Sequence, residues 1–272
     1  MSMKLFWWQS KRQDQRENYG DLMSKYLVEK ISKKKVKTVS HPSKFPYNFF
    51  RKHYISIGSI ISSANANSIV WGSGIIKKCD SIANADFRAV RGPKTRQRII
   101  EMGYDCPEKY GDPALLLPKY YQKKDICKYE LGIIPHYVDY EAVHHHFKDE
   151  KTVKVIDLLT KDIEKTTDEI MECEKIISSS LHGVIVSQAY QIPALWVKFS
   201  DKLFGDDIKF QDYFDSVNIK TSNSIHLDVS ELGVEDLNKI LKENSSILMI
   251  EDSALKRCQD DLITSCPFIY GE

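Results

Sequence analysis

The sequence predicts an α/β fold in two βα-repeat domains, and three observations carry the prediction. Short apolar runs of strand length alternate with segments of helical period. Two of those runs, Tyr54 to Ile61 and Ser68 to Ile75, carry Gly and Ser at their ends, where backbone can approach a ligand and offer amides to anions. A polar linker near 118–127, opening with Gln122-Lys123-Lys124, separates one such series from the next. The predicted divisions are 1–122, 123–235 and a helical tail over 236–272 that packs back on the first domain.

Each element follows from its residues. Lys4 to Trp8 is an apolar strand, followed by a polar loop. Leu22, Tyr26, Leu27 and Ile31 recur at helical spacing, with Asp21 at the helix start either as N-cap or as a carboxylate held where strand meets helix. Val36 to Phe50 reads as irregular, with Pro42 and Pro46. Phe87 to Val90 is a brief strand ending at Arg91, a candidate anion grip. Pro93 suits the first turn of a helix over Lys94 to Met102, which Gly103 closes. Asp112 before Pro113 reads as a capping and turn residue.

The second series begins with a strand from Tyr129 that ends at Pro135-His136. His144-His145-His146 cannot all face one metal on regular backbone and reads as an exposed segment. Val153 to Asp157 is a strand, and Thr166 to Glu169 marks a helix start with Asp168 in the first turn. Ile176 to Trp196 is strand, turn, helix and strand, with three serines and then His182 at the turn. A helix start after serines favours negative charge. Beyond a loop over 200–207, charges alternate with aromatics from Lys209 to Phe214 and suit one wall of a groove. Ser216 to Ile219 reads as extended, Leu232 to Asn244 as a helix, and Ile247 to Cys258 as a closing helix.

Bulk properties exclude several classes. With 42% hydrophobic and 28% charged residues the chain is of ordinary globular composition. A net charge of +1 gives no global footprint for nucleic acid, and Lys33 to Lys35 reads as a solvated helix end. The six cysteines lack the close spacing of a zinc knuckle or redox pair. With neither a signal peptide nor a membrane-length apolar run, the expectation is reduced thiols in a cytoplasm, with peripheral membrane contact still open.

Six blocks, in order, carry a resemblance. They are ENYGDLMSKYLVEKI at 17–31, VWGSGII at 70–76, FRAVRGPKTRQRIIEMG at 87–103, YGDPALLLPKYY at 110–121, LGIIPHYVD at 131–139 and SSSLHGVIVSQAYQIPALWVKF at 178–199. Together they resemble the polysaccharide pyruvyl transferase family from about Lys4 to Asn218. The resemblance implies a GT-B-like fold, with two Rossmann-like domains facing a central cleft. It implies transfer of a pyruvyl unit from phosphoenolpyruvate to a sugar of a surface-polysaccharide precursor, lipid-linked in some relatives, as a ketal with release of phosphate. Asp21 and His182 are then catalytic. Arg91, His182, Ser179, Ser180, His136 and Lys209 bind phosphoenolpyruvate, and Asn18, Asp21 and Ser73 bind the acceptor. Many relatives carry an arginine where this chain has Ser180, which shifts the anion grip toward Arg91, His136 or Lys209. The chemistry calls for neither a metal nor a redox cofactor, and a galactose-like acceptor is the expectation. The alternatives are a nucleotide-sugar glycosyltransferase on the same architecture and a non-catalytic carbohydrate-binding protein.

Overall fold

The structure is a computed structural model and describes residues 2–10, 12–42, 51–122, 127–220 and 224–268. The segment 43–50 and the linker residues 123–126 lie outside the described residues. In chain order the elements of the first half are β1 (Met3–Phe6), β2 (Glu17–Asn18), α1 (Tyr19–Ser32), β3 (Val36–Thr38), β4 (His53–Ile55), β5 (Ser68–Trp71), β6 (Asp86–Ala89), α2 (Pro93–Glu101) and α3 (Leu117–Tyr120). The second half continues with β7 (Leu131–Ile134), α4 (Tyr140–Phe147), β8 (Val153–Val155), β9 (Leu159–Thr160), α5 (Ile163–Met171), β10 (Ile176–Ser178) and α6 (Leu181–Ala189). It closes with β11 (Ala194–Lys198), α7 (Ile208–Ser216), β12 (Ile225–His226), α8 (Val234–Glu243) and α9 (Asp252–Thr264).

Two five-stranded sheets form, one from each half. The first runs β3-β1-β4-β5-β6 and the second β12-β11-β10-β7-β8. Every pairing within them is parallel. Counted within its own half, each sheet has its second strand outside its first and its third on the other side. That order reverses direction beside the first strand, and in open parallel sheets ligands bind at the carboxyl ends of strands where the order reverses. The reversal falls between β1 and β4 in one sheet and between β7 and β10 in the other.

Alternation along the strands sorts the side chains into layers. Leu5 joins one hydrophobic cluster and Phe6 another. Ile176, Ala194 and Trp196 join the first cluster, while Ile177, Leu195 and Val197 join a third. The first cluster therefore receives inner-face residues of both sheets, and the other two cover an outer face each. A two-stranded antiparallel ladder, β2 with β9, also joins the halves. Beside it Tyr19 N donates to Leu158 O at 2.8 Å, and Tyr19 Oη lies 2.7 Å from Thr167 Oγ1. Helix α9 reaches the first sheet: Trp71 Nε1 donates to Leu262 O at 2.9 Å, and Phe268 packs edge-on against Tyr54 and Trp71.

Several local readings are corrected. Asn18, not Asp21, caps α1, its side chain accepting from Gly20 N at 3.0 Å. Residues 36–38 form an edge strand rather than irregular chain. Helix α5 starts earlier than Thr166, capped by Asp162, so Asp168 lies in its last turn. Residues 209–214 belong to helix α7, because Phe210, Tyr213 and Phe214 fall on one helical face and bury it. Ser216 ends that helix and Asn218 has φ 61°, so no extended segment follows. The three histidines are exposed, on α4. The six cysteines are free thiols, and among the described residues no helix is long and apolar enough to cross a membrane.

Candidate functional site

The carboxyl ends of both reversal points supply the candidate residues. From the first sheet come α1, which follows β1, and the Ser56-to-Ser59 turn after β4. From the second come Pro135-His136 after β7 and Ser179-Ser180 after β10.

Helix α6 is buried along its whole length. Gly183 is required there, since a Cβ would lie 2.3 Å from Ser178 Oγ. Ser180 occupies the N-cap position in extended backbone, but its side chain makes no cap hydrogen bond. The first-turn amides of α6 are thus without the usual side-chain partner, which is the arrangement that receives an anion. His182 stands in that first turn and is 9% exposed. Its Nε2 is sealed from solvent with no hydrogen bond, 3.7 Å from Asp112 Oδ2. Its Nδ1 lies against Gly20, where a Cβ would stand only 1.9 Å away. Glycine at 20 is therefore what lets the start of α1 approach the imidazole.

Asp21 follows on α1. Because Asn18 takes the cap, the Asp21 carboxylate is spared that work. Burial raises its pKa to about 7, against the pull of the His182 and Lys209 charges and with a further push from Glu17. A Cβ on Gly58, after β4, would lie 3.6 Å from Asp21 Oδ1, which puts the carboxylate at the first reversal point. Lys209 is in the first turn of α7 and makes no hydrogen bond or ion pair among the described residues, though its Nζ lies 5.3 Å from the Phe210 ring centroid. Burial, then the Arg91 charge, lowers its pKa to about 8, partly offset by Asp207 and Asp21. His136 is pushed down to about 4 by burial and by Lys209. It is neutral at pH 7, so it offers a hydrogen bond and not a charge.

Arg91 is placed differently from a free anion grip. Its side chain is fully buried. Nε donates to Asp212 Oδ2 at 3.0 Å, NH1 to Ser59 Oγ at 2.7 Å and NH2 to Ile75 O at 2.7 Å. Gly74 makes the room, since a Cβ there would lie 2.4 Å from the guanidinium carbon. Asp212 also accepts from Thr95 N at 2.9 Å and Thr95 Oγ1 at 2.6 Å. Arg91 thus fastens α7, and with it Lys209, onto the first sheet.

Three other predicted contacts are also engaged. Ser179 Oγ accepts from His136 N at 2.8 Å, tying the two strand ends of the second reversal point together. Ser73 Oγ is buried and donates to Gly58 O at 2.8 Å. Asn18 Oδ1 is the cap of α1. The structure therefore brings Asp21, His182, Ser180, Lys209 and His136 together and gives Arg91, Ser179, Ser73 and Asn18 supporting bonds. Sequence reasoning missed Gly20, Asp112 and Asp212. Asp112 does cap the turn before Pro113, as its sequence suggests, its Oδ1 accepting from Ala114 N; nothing local in Asp-Pro reveals that its second oxygen lies beside a distant histidine. Among the described residues no group of three or more His, Cys, Asp or Glu is placed to hold a metal ion.

Comparison with known proteins agrees with the resemblance. The model of the family described as polysaccharide pyruvyl transferase matches residues 9–201. A protein of Acanthamoeba polyphaga mimivirus described as uncharacterized protein L143 is 36% identical over 210 residues, which cover 75% of this chain and 72% of that protein. The family match spans the second reversal point, the uncapped start of α6, Asp21 and His182, and the chain belongs to the polysaccharide pyruvyl transferase family.

Proposed function

We propose that the chain transfers a pyruvyl group from phosphoenolpyruvate to two hydroxyls of a polysaccharide-precursor sugar, forming a ketal and releasing phosphate. The observation that carries this reading is that His182 stands at an uncapped helix start against Gly20, while the charges of His182 and Lys209 both act on the buried carboxylate of the neighbouring Asp21. In this reading the two sheets act as two domains with the substrates held between their carboxyl edges.

Phosphoenolpyruvate brings a phosphate and a carboxylate, which suit the α6 amides, the Ser180 hydroxyl and the Lys209 ammonium. His136, neutral at pH 7, contributes an N–H. Asp21 takes the proton of the first sugar hydroxyl as its oxygen bonds to C2, and C3 gains a proton in the same addition. The second hydroxyl then bonds to C2 while the C2–O bond to phosphate breaks and its electron pair leaves with the phosphate. His182 supplies positive charge or a proton to that leaving group. The proton of the second hydroxyl balances the one that leaves with phosphate. Burial raises the Asp21 pKa to about 7, which suits a group that both accepts and returns a proton.

The test is incubation with phosphoenolpyruvate and a panel of galactosides and glucosides. Acceptor-dependent phosphate release, with a ketal carbon correlated to two sugar positions by NMR, is the expected result. Release of a nucleoside diphosphate from a nucleotide sugar, with no consumption of phosphoenolpyruvate, would replace this reading by a glycosyltransferase.

A further inference from the structure

Two buried polar atoms face each other across the halves without a hydrogen bond. Asp112 is fully buried at the turn that precedes Pro113. Its Oδ1 accepts from Ala114 N at 3.0 Å and so caps the 3-10 turn Pro113–Leu116. Its Oδ2 is sealed from solvent, has no hydrogen-bond partner and lies 3.7 Å from His182 Nε2, which is equally sealed and equally unpartnered. Capping alone explains one oxygen, and a serine hydroxyl would supply that. It does not explain a second carboxylate oxygen held dry beside an imidazole, because an unpaired buried acceptor is costly to keep.

The ring has only two nitrogens, and the sealing of Nε2 leaves Nδ1 as the one able to meet a substrate. Nδ1 is also the nitrogen beside Gly20 and hence beside the start of α1, where Asp21 sits. A proton fixed on Nε2 by a carboxylate sets the neutral ring to present a lone pair at Nδ1. Once that nitrogen is also protonated, the same carboxylate stabilises the imidazolium, whose Nδ1–H then faces the anion.

We infer that Asp112 is a positioning residue that holds the proton of His182 on Nε2 and aims Nδ1 at the phosphate of the donor. The choice of donor rests on the transferase reading above; the pairing of Asp112 with His182 does not. Asp112→Asn separates the two jobs of the side chain. Its amide oxygen still caps Ala114 N, while its NH2 replaces Oδ2 and donates to the Nε2 lone pair, forcing the proton onto Nδ1.

The experiment is nitrogen NMR of the full chain labelled at histidine, with no ligand present, the His182 signal being assigned by its loss in His182→Gln. Wild-type His182 in its neutral form is expected to carry its proton on Nε2, and D112N to move it to Nδ1. Asp112→Ser keeps the cap and the melting temperature near wild type, and leaves the ring without a fixed tautomer. With phosphoenolpyruvate and acceptor, D112N is expected to lower kcat by about 10²-fold with little change in KM for phosphoenolpyruvate. A wild-type ring protonated on Nδ1, or the same tautomer in D112N as in wild type, overturns the inference. Failure of the transferase reading shows separately, as no phosphate release by the wild-type protein, and leaves the tautomer result as it stands.

Discussion

At the scale of single residues, Gly20 and Asp21 make opposite demands on the start of α1. Gly20 is in a helix, where alanine would ordinarily be preferred by about 1 kcal/mol. The helix forgoes that gain because a Cβ would fall 1.9 Å from His182 Nδ1 and 2.4 Å from its Cγ. Gly20→Ala should displace the imidazole and abolish phosphate release while the far-ultraviolet circular dichroism stays native. Retained activity would mean that the ring position is not critical. Asp21 carries a linkage with a definite sign. Its folded pKa of about 7 lies above its ordinary value of 3.8, so the unfolded chain loses this proton first as pH rises. The stability associated with the group is complete below about pH 4, falls as pH rises toward 7 and is not regained above it. Asp21→Asn should therefore raise the melting temperature at pH 8 and leave it unchanged at pH 3.5, while activity is lost at both. Equal melting curves at pH 8 would place the carboxylate in an environment as wet as the unfolded chain.

At the scale of elements, the start of α6 forgoes a side-chain cap, which in the proposed reading leaves a seat for an anion. Ser180 holds the N-cap position without bonding the first turn. Ser180→Asp would supply both a cap acceptor and a charge favourable to the helix dipole, each contributing about 0.5–1 kcal/mol. The same carboxylate would occupy and repel the seat. The expected outcome is a more stable protein with weaker binding of phosphoenolpyruvate, measured by thermal melting and titration calorimetry. A stability gain with unchanged affinity would move the donor phosphate away from α6. These strands and α6 were legible in the sequence because their apolar runs are short and bounded by Gly, Ser and Pro, so that period and punctuation agree. Helix α7 was not, because charge and aromatic residues alternate from Lys209 to Phe214 and read only as one wall of a groove until Phe210, Tyr213 and Phe214 are seen to share a helical face. Asp162 starting α5 and Asn18 starting α1 show the same limit. Several Asx residues stood near each helix start, and only the backbone geometry selects which one caps. The partners of Arg91 lie far along the chain, so no local pattern could reveal that each guanidinium nitrogen already makes a bond.

At the scale of the whole molecule, the bonds of Arg91 tie α7 to the first sheet. Lys209 lies on α7, which follows β11 of the second sheet, yet the helix is bonded to the first sheet through Asp212, Arg91 and Thr95. Gly92 marks how close the contact is, since a Cβ there would lie 1.9 Å from Asp212 O. The ammonium that faces Asp21 is thus positioned by an ion pair with both side chains fully buried. Such a pair is a poor source of net stability when formed, but breaking it by removing one partner costs about 3–5 kcal/mol, because the other charge is left dry and unpaired. Arg91→Lys keeps the charge but cannot bond Asp212, Ser59 and Ile75 in the three directions that the guanidinium serves. If Arg91 acts by fastening α7, R91K and Asp212→Asn should both lower unfolding stability by an amount of that order and raise KM for phosphoenolpyruvate in parallel, though Asp212 would itself repel that anion. If Arg91 instead gripped the donor directly, R91K would raise KM with little loss of stability, and D212N, by freeing the guanidinium, would lower it. Urea unfolding and steady-state kinetics on the two variants separate these cases, and the full burial and three hydrogen bonds of Arg91 predict the first.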